Sequence, residues 1–212
     1  MRQAATLSCL FFLSTLASAQ DFQQWNEIDL TASWRNLDVL VPLLTRTDTH
    51  LPNPQLAATG FIANYRAHAH LLLTAAYLYA YLPSTSDSVH LPVIAFTPVF
   101  RLNRLTLADT SRFEKLIGYP GAPVRYRNKL FFDRPLGPHK RWHLFAGDEV
   151  FFNLSAASWN QNRLQAGAGS RLNSRLSLDA YYLQRVANGA AESTNVMGTT
   201  LTVRMTPDRK GR

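Results

Sequence analysis

The sequence predicts an all-β protein, a closed antiparallel transmembrane β-barrel of about 10–12 strands. Stretches of about ten residues alternate apolar and polar side chains along most of the chain, and a period of two means strand because successive side chains point to opposite faces. These stretches exceed the roughly five or six residues usual in soluble proteins and match the length a tilted strand needs to cross hydrocarbon. Only short breaks separate them.

The chain opens with the three parts of a secretory signal. Arg2 is the charged start, Ala4 to Leu16 the apolar run, and Ala17 and Ala19 the small residues before Gln20. Residues 1–19 are therefore expected to be removed, leaving residues 20–212 as one barrel with no second domain. The apolar run falls short of the ~20 residues of a spanning helix. The single cysteine, Cys9, lies inside this segment, so residues 20–212 can form no disulfide, cysteine metal site or thiol nucleophile. Export without cysteine suits a bacterial outer-membrane protein.

The alternation marks eleven candidate strands: Phe22 to Ala32, Leu37 to Arg46, Gln55 to Arg66, Leu71 to Leu82, Val89 to Arg101, Leu105 to Lys115, Val124 to Arg134, Arg141 to Asn153, Trp159 to Gly169, Arg175 to Ala187 and Thr194 to Met205. Bacterial single-chain barrels carry an even number, so ten or twelve strands are expected, with twelve favoured because a long segment can hide a bend. The breaks carry turn chemistry: Pro52-Asn53-Pro54, Pro83-Ser84, Leu102-Asn103, Gly118 to Gly121, Pro135 to Pro138, Leu172-Asn173-Ser174 and Asn188-Gly189. Pro42, Pro92 and Pro98 fall within strands, where proline removes a ladder donor, and are expected at bulges or strand ends near the rims.

A membrane barrel turns its apolar set outward. That set includes Ile28 and Leu30; Tyr77, Tyr79 and Tyr81; Leu130 and Phe132; Leu144 and Val150; Leu164 and Ala166; and Met197, Leu201 and Val203. Trp25, Trp142, Trp159, Phe131 with Phe132, and Phe151 with Phe152 lie near strand ends, in the manner of interfacial aromatic girdles. The opposite parity collects a candidate lumen charge network: Glu27, Asp29, Arg112, Glu114, Arg125, Arg127, Glu149, Arg163, Asp179 and Arg185, with Lys129, His143, Gln161 and Gln165 on the same side. Arginine–carboxylate pairing is expected to fill a narrow lumen.

The formal net charge is +8. The arginines stand singly at strand positions and make no basic patch, which argues against nucleic acid and for anionic headgroups or a charged lumen. Expected partners are outer-membrane lipids and the barrel-insertion machinery; the sequence sets no oligomeric state. No cofactor is expected. His68 and His70 share one face of a strand end, yet two histidines lack the remaining ligands of a closed metal site and are expected as turn residues. A lipid hydrolase would need a serine, a histidine and an orienting group together; serines and His143 are present, but no spacing singles out a triad. The functional expectation is an outer-membrane barrel with a structural, small-solute or lipid-related role, the alternative being an outer-membrane lipid-modifying enzyme of acyl-hydrolase type. A soluble lipocalin-like barrel would reverse the faces.

Several segments together resemble a known family: Asp21 to Leu30, Phe113-Glu114-Lys115, Val124 to Leu130, Arg141 to Phe145, Asp148 to Phe151 and Trp159 to Leu164. In these the chain is similar to the bacterial barrel proteins designated domain of unknown function 2490. The resemblance implies a Gram-negative outer-membrane barrel and carries no functional residue. Such barrels usually finish on an aromatic residue in the last strand. Here Gly198 to Val203 keeps only the glycine and the apolar spacing, and a polar tail follows.

Overall fold

A computed structural model describes residues 21–48, 54–189 and 193–205; the expected signal, residues 1–19, lies outside the described residues. Eleven strands follow one another: β1 (Asp21–Trp34), β2 (Leu37–Asp48), β3 (Pro54–His68), β4 (Leu71–Leu82), β5 (Asp87–Leu102), β6 (Leu105–Lys115), β7 (Val124–Leu136), β8 (Trp142–Asn153), β9 (Ser158–Arg171), β10 (Leu176–Ala187) and β11 (Thr194–Arg204). Each coincides with one alternating stretch of the sequence, and β4 and β6 have the bounds the period predicts. Period-two patterning decides the conformation because a half-buried strand is the one structure that sorts alternate side chains onto opposite faces.

The strands meander up and down and close into a single barrel, each hydrogen-bonded to its neighbours in sequence, with β1 against β11 at the seam. The expectation of an even number, ten or twelve, is corrected: eleven strands close the wall. With an odd number the first and last strands run the same way, so β1 and β11 pair in parallel, from Asp21↔Thr194 to Thr31↔Arg204. Every other neighbouring pair is antiparallel. The start of β1 and the end of β11 consequently lie at opposite rims.

At one rim, two-residue turns join β1 to β2, β3 to β4 and β5 to β6. Arg35 and Asn103 there take φ of 46° and 56°, the left-handed conformation that tight hairpins use. Longer connections occupy the other rim. The longest, residues 116–123, folds back on the wall: Ile117 and His90 exchange backbone hydrogen bonds of 2.8 and 2.9 Å, which carries the β5–β6 ladder past the end of β6.

The three prolines mark neither bulges nor strand ends, and that expectation is also corrected. Pro42 lies where the β2–β3 ladder passes from Leu40↔Ile62 to Leu43↔Thr59. Pro98 lies where β5–β6 passes from Phe96↔Ser111 to Val99↔Ala108, and Pro92 between His90↔Ile117 and Val93↔Glu114. In each case the ladder skips two residues and resumes in the same register. A residue without an N–H leaves one acceptor unanswered on one side only, which a brief skip accommodates without shifting any side chain to the other face.

The outer wall carries large apolar side chains in the open: Phe61 and Ile94 are each 65% exposed, and Tyr77, Tyr79, Leu144, Leu164 and Met197 project outward as well. On β10, Leu178 and Ala180 face out while Asp179 and Leu183 face in. The apolar-outward sorting holds for these residues. Three aromatics depart from the expected girdle. Trp142, Trp159 and Phe152 are on the outer face, but Trp25 and Phe151 are buried in the lumen and Phe131 packs inward against Phe145.

Candidate functional site: the barrel lumen

Cross-strand register assembles the site. On the inner face Arg112 of β6 stands opposite Arg127 of β7, and Glu114 opposite Arg125. Lys129 stands opposite Glu149 of β8, which in turn faces Arg163 of β9. Like charges directly opposite repel, so the Arg112–Arg127 pairing needs a bridge, and Glu114 supplies it.

Glu114 has a fully buried side chain and receives three arginines. Arg112 Nε lies 2.6 Å from Oε1, Arg127 Nη1 donates to Oε1 at 2.7 Å, and Arg125 donates through Nε to Oε2 at 2.8 Å and also through Nη2. Arg127 then reaches the second carboxylate, donating to Glu149 Oε1 from Nη2 at 2.6 Å and from Nε at 3.0 Å, while Arg163 Nη1 lies 3.7 Å from Glu149 Oε2. The planar fork of arginine makes such sharing possible.

Two buried rings interleave with these cations. Phe151, 1% exposed, has the guanidiniums of Arg127 and Arg163 each 4.4 Å from its centroid. Trp25 lies between Arg163 at 5.1 Å and Arg46 at 3.8 Å. A continuous stack Arg46–Trp25–Arg163–Phe151–Arg127 thus crosses the lumen. Each ring face offers negative quadrupole density to cations that would otherwise only repel one another.

A second cluster lies toward the short-turn rim. His143 faces Asp133 Oδ1 through Nδ1 at 2.5 Å and Asp179 Oδ1 through Nε2 at 3.0 Å. A neutral imidazole carries one N–H, so one proton beyond it must be shared across these three groups. Gly169 pairs with both His143 and Asp179, and a Cβ there would occupy the space in which they meet. Between the two clusters Phe131, Phe145 and Tyr181 form an aromatic layer, with centroids 5.7 Å apart for the first two and 6.5 Å for the second pair. Tyr181 lies over Gly198, where any side chain would collide with its ring.

The ten residues of the expected network are therefore distributed unevenly. Arg112, Glu114, Arg125, Arg127, Glu149 and Arg163 form one connected ion-pair cluster. Asp179 belongs to the His143 cluster, Arg185 donates to Thr194 Oγ1 at 3.0 Å, and Glu27 and Asp29 face inward on β1 and join none of the ion pairs described above. Sequence reasoning missed Arg46, Asp133, Trp25 and Phe151. Parity could have found three of them, since Trp25 shares its phase with Glu27, Phe151 with Glu149 and Asp133 with Arg125 and Arg127. The turn histidines are engaged locally: His70 Nδ1 is 3.0 Å from Val99 O, and its backbone N–H donates to His68 Nδ1. Both nitrogens of His143 face carboxylates, and among the described residues no serine hydroxyl bonds to it.

The expectation that the lumen is filled by its own charges is corrected. A cavity of about 490 Å³ lies beside the arginine cluster. Part of its lining is the cationic wall of β6–β9, joined by Arg46 of β2; the rest, from β2–β5, is mainly apolar, with Leu44, Leu56, Ile62, Leu78, Ala80 and Leu91 beside Thr59. Alternation on those strands separates one apolar face from another, and so hides an inner surface from the sequence. Leu116 and Tyr119 of the 116–123 connection also line the cavity.

Residues 22–196 match the model of a family described as a protein of unknown function, DUF2490. The chain belongs to that family. The match runs from β1 into β11 and so takes in the whole lumen cluster of this DUF2490 barrel. No curated protein matches the chain.

The outer wall of the DUF2490 barrel has its own polar groups, which the sequence alternation conceals. Asn128 Nδ2 donates to Asp109 Oδ1 at 2.6 Å, Asn162 Nδ2 to Asp148 Oδ1 at 2.7 Å, and Thr199 Oγ1 to Asn26 Oδ1 at 2.9 Å. These three bonds each join side chains on adjoining strands.

Proposed function

We propose that this protein is a Gram-negative outer-membrane barrel, delivered through a cleaved signal and inserted by the barrel-assembly machinery, whose role is small-solute or lipid-related and resides in its lumen. One observation carries the reading: the wall exposes Phe61, Ile94, Phe96, Tyr77 and Leu164 outward while the arginine–carboxylate cluster is enclosed. Exposed apolar surface encircling a closed barrel suits hydrocarbon and is unfavourable in water. Strands of 11 to 16 residues are long enough to span it. The aromatic layer of Phe131, Phe145 and Tyr181 occupies the lumen beside β7–β10, and eleven strands are far fewer than the roughly sixteen or more of wide porins, which favours a binding or structural lumen over a general pore.

Fractionation of the exported protein tests this reading. It should sediment with outer membranes, require detergent or lipid to stay folded, and migrate differently on a denaturing gel before and after boiling. Its mass should correspond to residues 20–212. Recovery as a soluble periplasmic monomer would defeat the membrane reading.

A further inference from the structure

The 490 Å³ lumen cavity has two unlike walls, and neither is satisfied by the protein alone. Arg46, Arg112, Arg125, Arg127, Lys129 and Arg163 line it, against Glu27 and Glu149 in the lining and Glu114 behind it. Six cations face three carboxylates. Arg46 makes no ion pair among the described residues; it stacks on Trp25, and its Nε is buried without a hydrogen-bond partner. Lys129, though opposite Glu149 in register, makes no ion pair within 4.0 Å among the described residues; its Nζ lies 3.4 Å from the amide oxygen of Gln165 and 5.1 Å from the centroid of Phe131. The remaining wall, Leu44, Leu56, Ile62, Leu78, Val89 and Leu91, is apolar and offers no charge to a polar guest.

Excess positive charge inside the barrel calls for an anion, because a buried charge without a partner is costly. A small inorganic anion would answer the cations and leave the apolar wall against empty space or water. A neutral lipid would answer that wall and leave the cations unpaired. Only a molecule with both parts answers both.

We propose that the lumen cavity binds an anionic amphiphile: one acyl chain laid against the β2–β5 wall, with a carboxylate or phosphate-monoester head held by Arg46, Lys129 and the neighbouring arginines. The cavity volume is within the roughly 300–1,000 Å³ typical of small-molecule sites. Leu116 and Tyr119, at the rim where the longer connections gather, form the side of the cavity nearest an entering chain. The inference deepens the solute- or lipid-related role proposed above, and rests on it in taking the lumen as the working part of the barrel.

The chain has four tryptophans, of which Trp34, Trp142 and Trp159 are exposed and Trp25 is in the lumen. Replacing the three exposed ones by phenylalanine leaves Trp25 as the reporter. This protein, folded into phosphatidylcholine nanodiscs, is titrated with dodecanoate, monododecyl phosphate, dodecanol and inorganic phosphate. A saturable fluorescence change with dodecanoate alone supports a fatty-acid head, with monododecyl phosphate alone a phosphate head, and with both an unselective anionic head. Arg46→Gln and Lys129→Gln should each weaken that binding by about tenfold. Ala80→Phe, which fills the apolar side, should weaken the amphiphile and leave inorganic phosphate unchanged. Lys129 does not stack on Trp25, so its variant keeps the reporter intact if Arg46→Gln disturbs it. Equal binding of dodecanol, equal binding of inorganic phosphate, or affinities unchanged by both cation variants would overturn the proposal. A protein that folds only without lipid would defeat the membrane reading, and the same titration in buffer would still decide the ligand.

Discussion

Replacing Glu114 by glutamine removes the charge on which three arginines converge. The side chain is fully buried, and Arg112 and Arg125 have no other carboxylate partner among the described residues; Arg127 keeps Glu149. Breaking a buried ion pair from one side costs about 3–5 kcal/mol, because the remaining charge stays desolvated. Two arginines are orphaned here and a third loses half its partners, so Glu114→Gln should lie at the upper end of that range. The comparison is Asp38→Asn, whose partner Arg66 is 3.9 Å away with both side chains well exposed. Such a surface pair is worth at most about 1 kcal/mol. Urea unfolding of both variants in the same phosphatidylcholine vesicles, followed by tryptophan fluorescence, gives the two differences directly. A cost for Glu114→Gln no larger than that for Asp38→Asn would refute the view that one carboxylate organises the cluster.

Tyr79 faces outward and Leu78 inward. Arginine on a lipid face costs about 2–4 kcal/mol at the midplane, so Tyr79→Arg should destabilise the vesicle-folded protein more than Leu78→Arg, and equal losses in urea unfolding would contradict the sorting of faces. In planar bilayers the wild type should pass no large steady current. Arg127→Ala alone should stay closed because the Phe131–Phe145–Tyr181 layer is untouched, whereas Arg127→Ala with Tyr181→Ala should open a small conductance. On the outer wall, Asn162→Leu strands the Asp148 carboxylate and should cost about 1–3 kcal/mol, while Asn162→Leu with Asp148→Leu should recover most of the loss.

Strands were the legible part of this chain because the period of two is a local signal, repeated in nearly every segment. Leu71–Leu82 and Leu105–Lys115 are bounded by turns on both sides, and their limits could be read directly. Closure was expected, but its form was not legible: pairing β1 with β11 is a contact between the two ends of the chain, and no local pattern records whether it is parallel. The inward set was readable where polar residues alternate with apolar ones, as from Arg125 to Lys129. It was hidden along β2–β5, where both faces are apolar, and Arg46 was lost with it. Trp25 and Phe151 were drawn to the rims by a general preference of aromatic residues, although their parity with Glu27 and Glu149 pointed inward. Stacking with guanidinium groups outweighs that preference when the lumen is cationic.

The central claim is that the outer wall meets hydrocarbon and the inner wall does not. A nitroxide spin label at Ile94→Cys, an outward position 65% exposed at mid-strand, measures this by collision with dissolved oxygen against a water-soluble nickel chelate in vesicles. The only native cysteine, Cys9, falls in the segment expected to be removed. The label should relax with oxygen and be shielded from nickel, while a label at Val93→Cys, one residue away on the inner face, should be shielded from both. Free access of the nickel chelate to position 94 would contradict the membrane barrel itself.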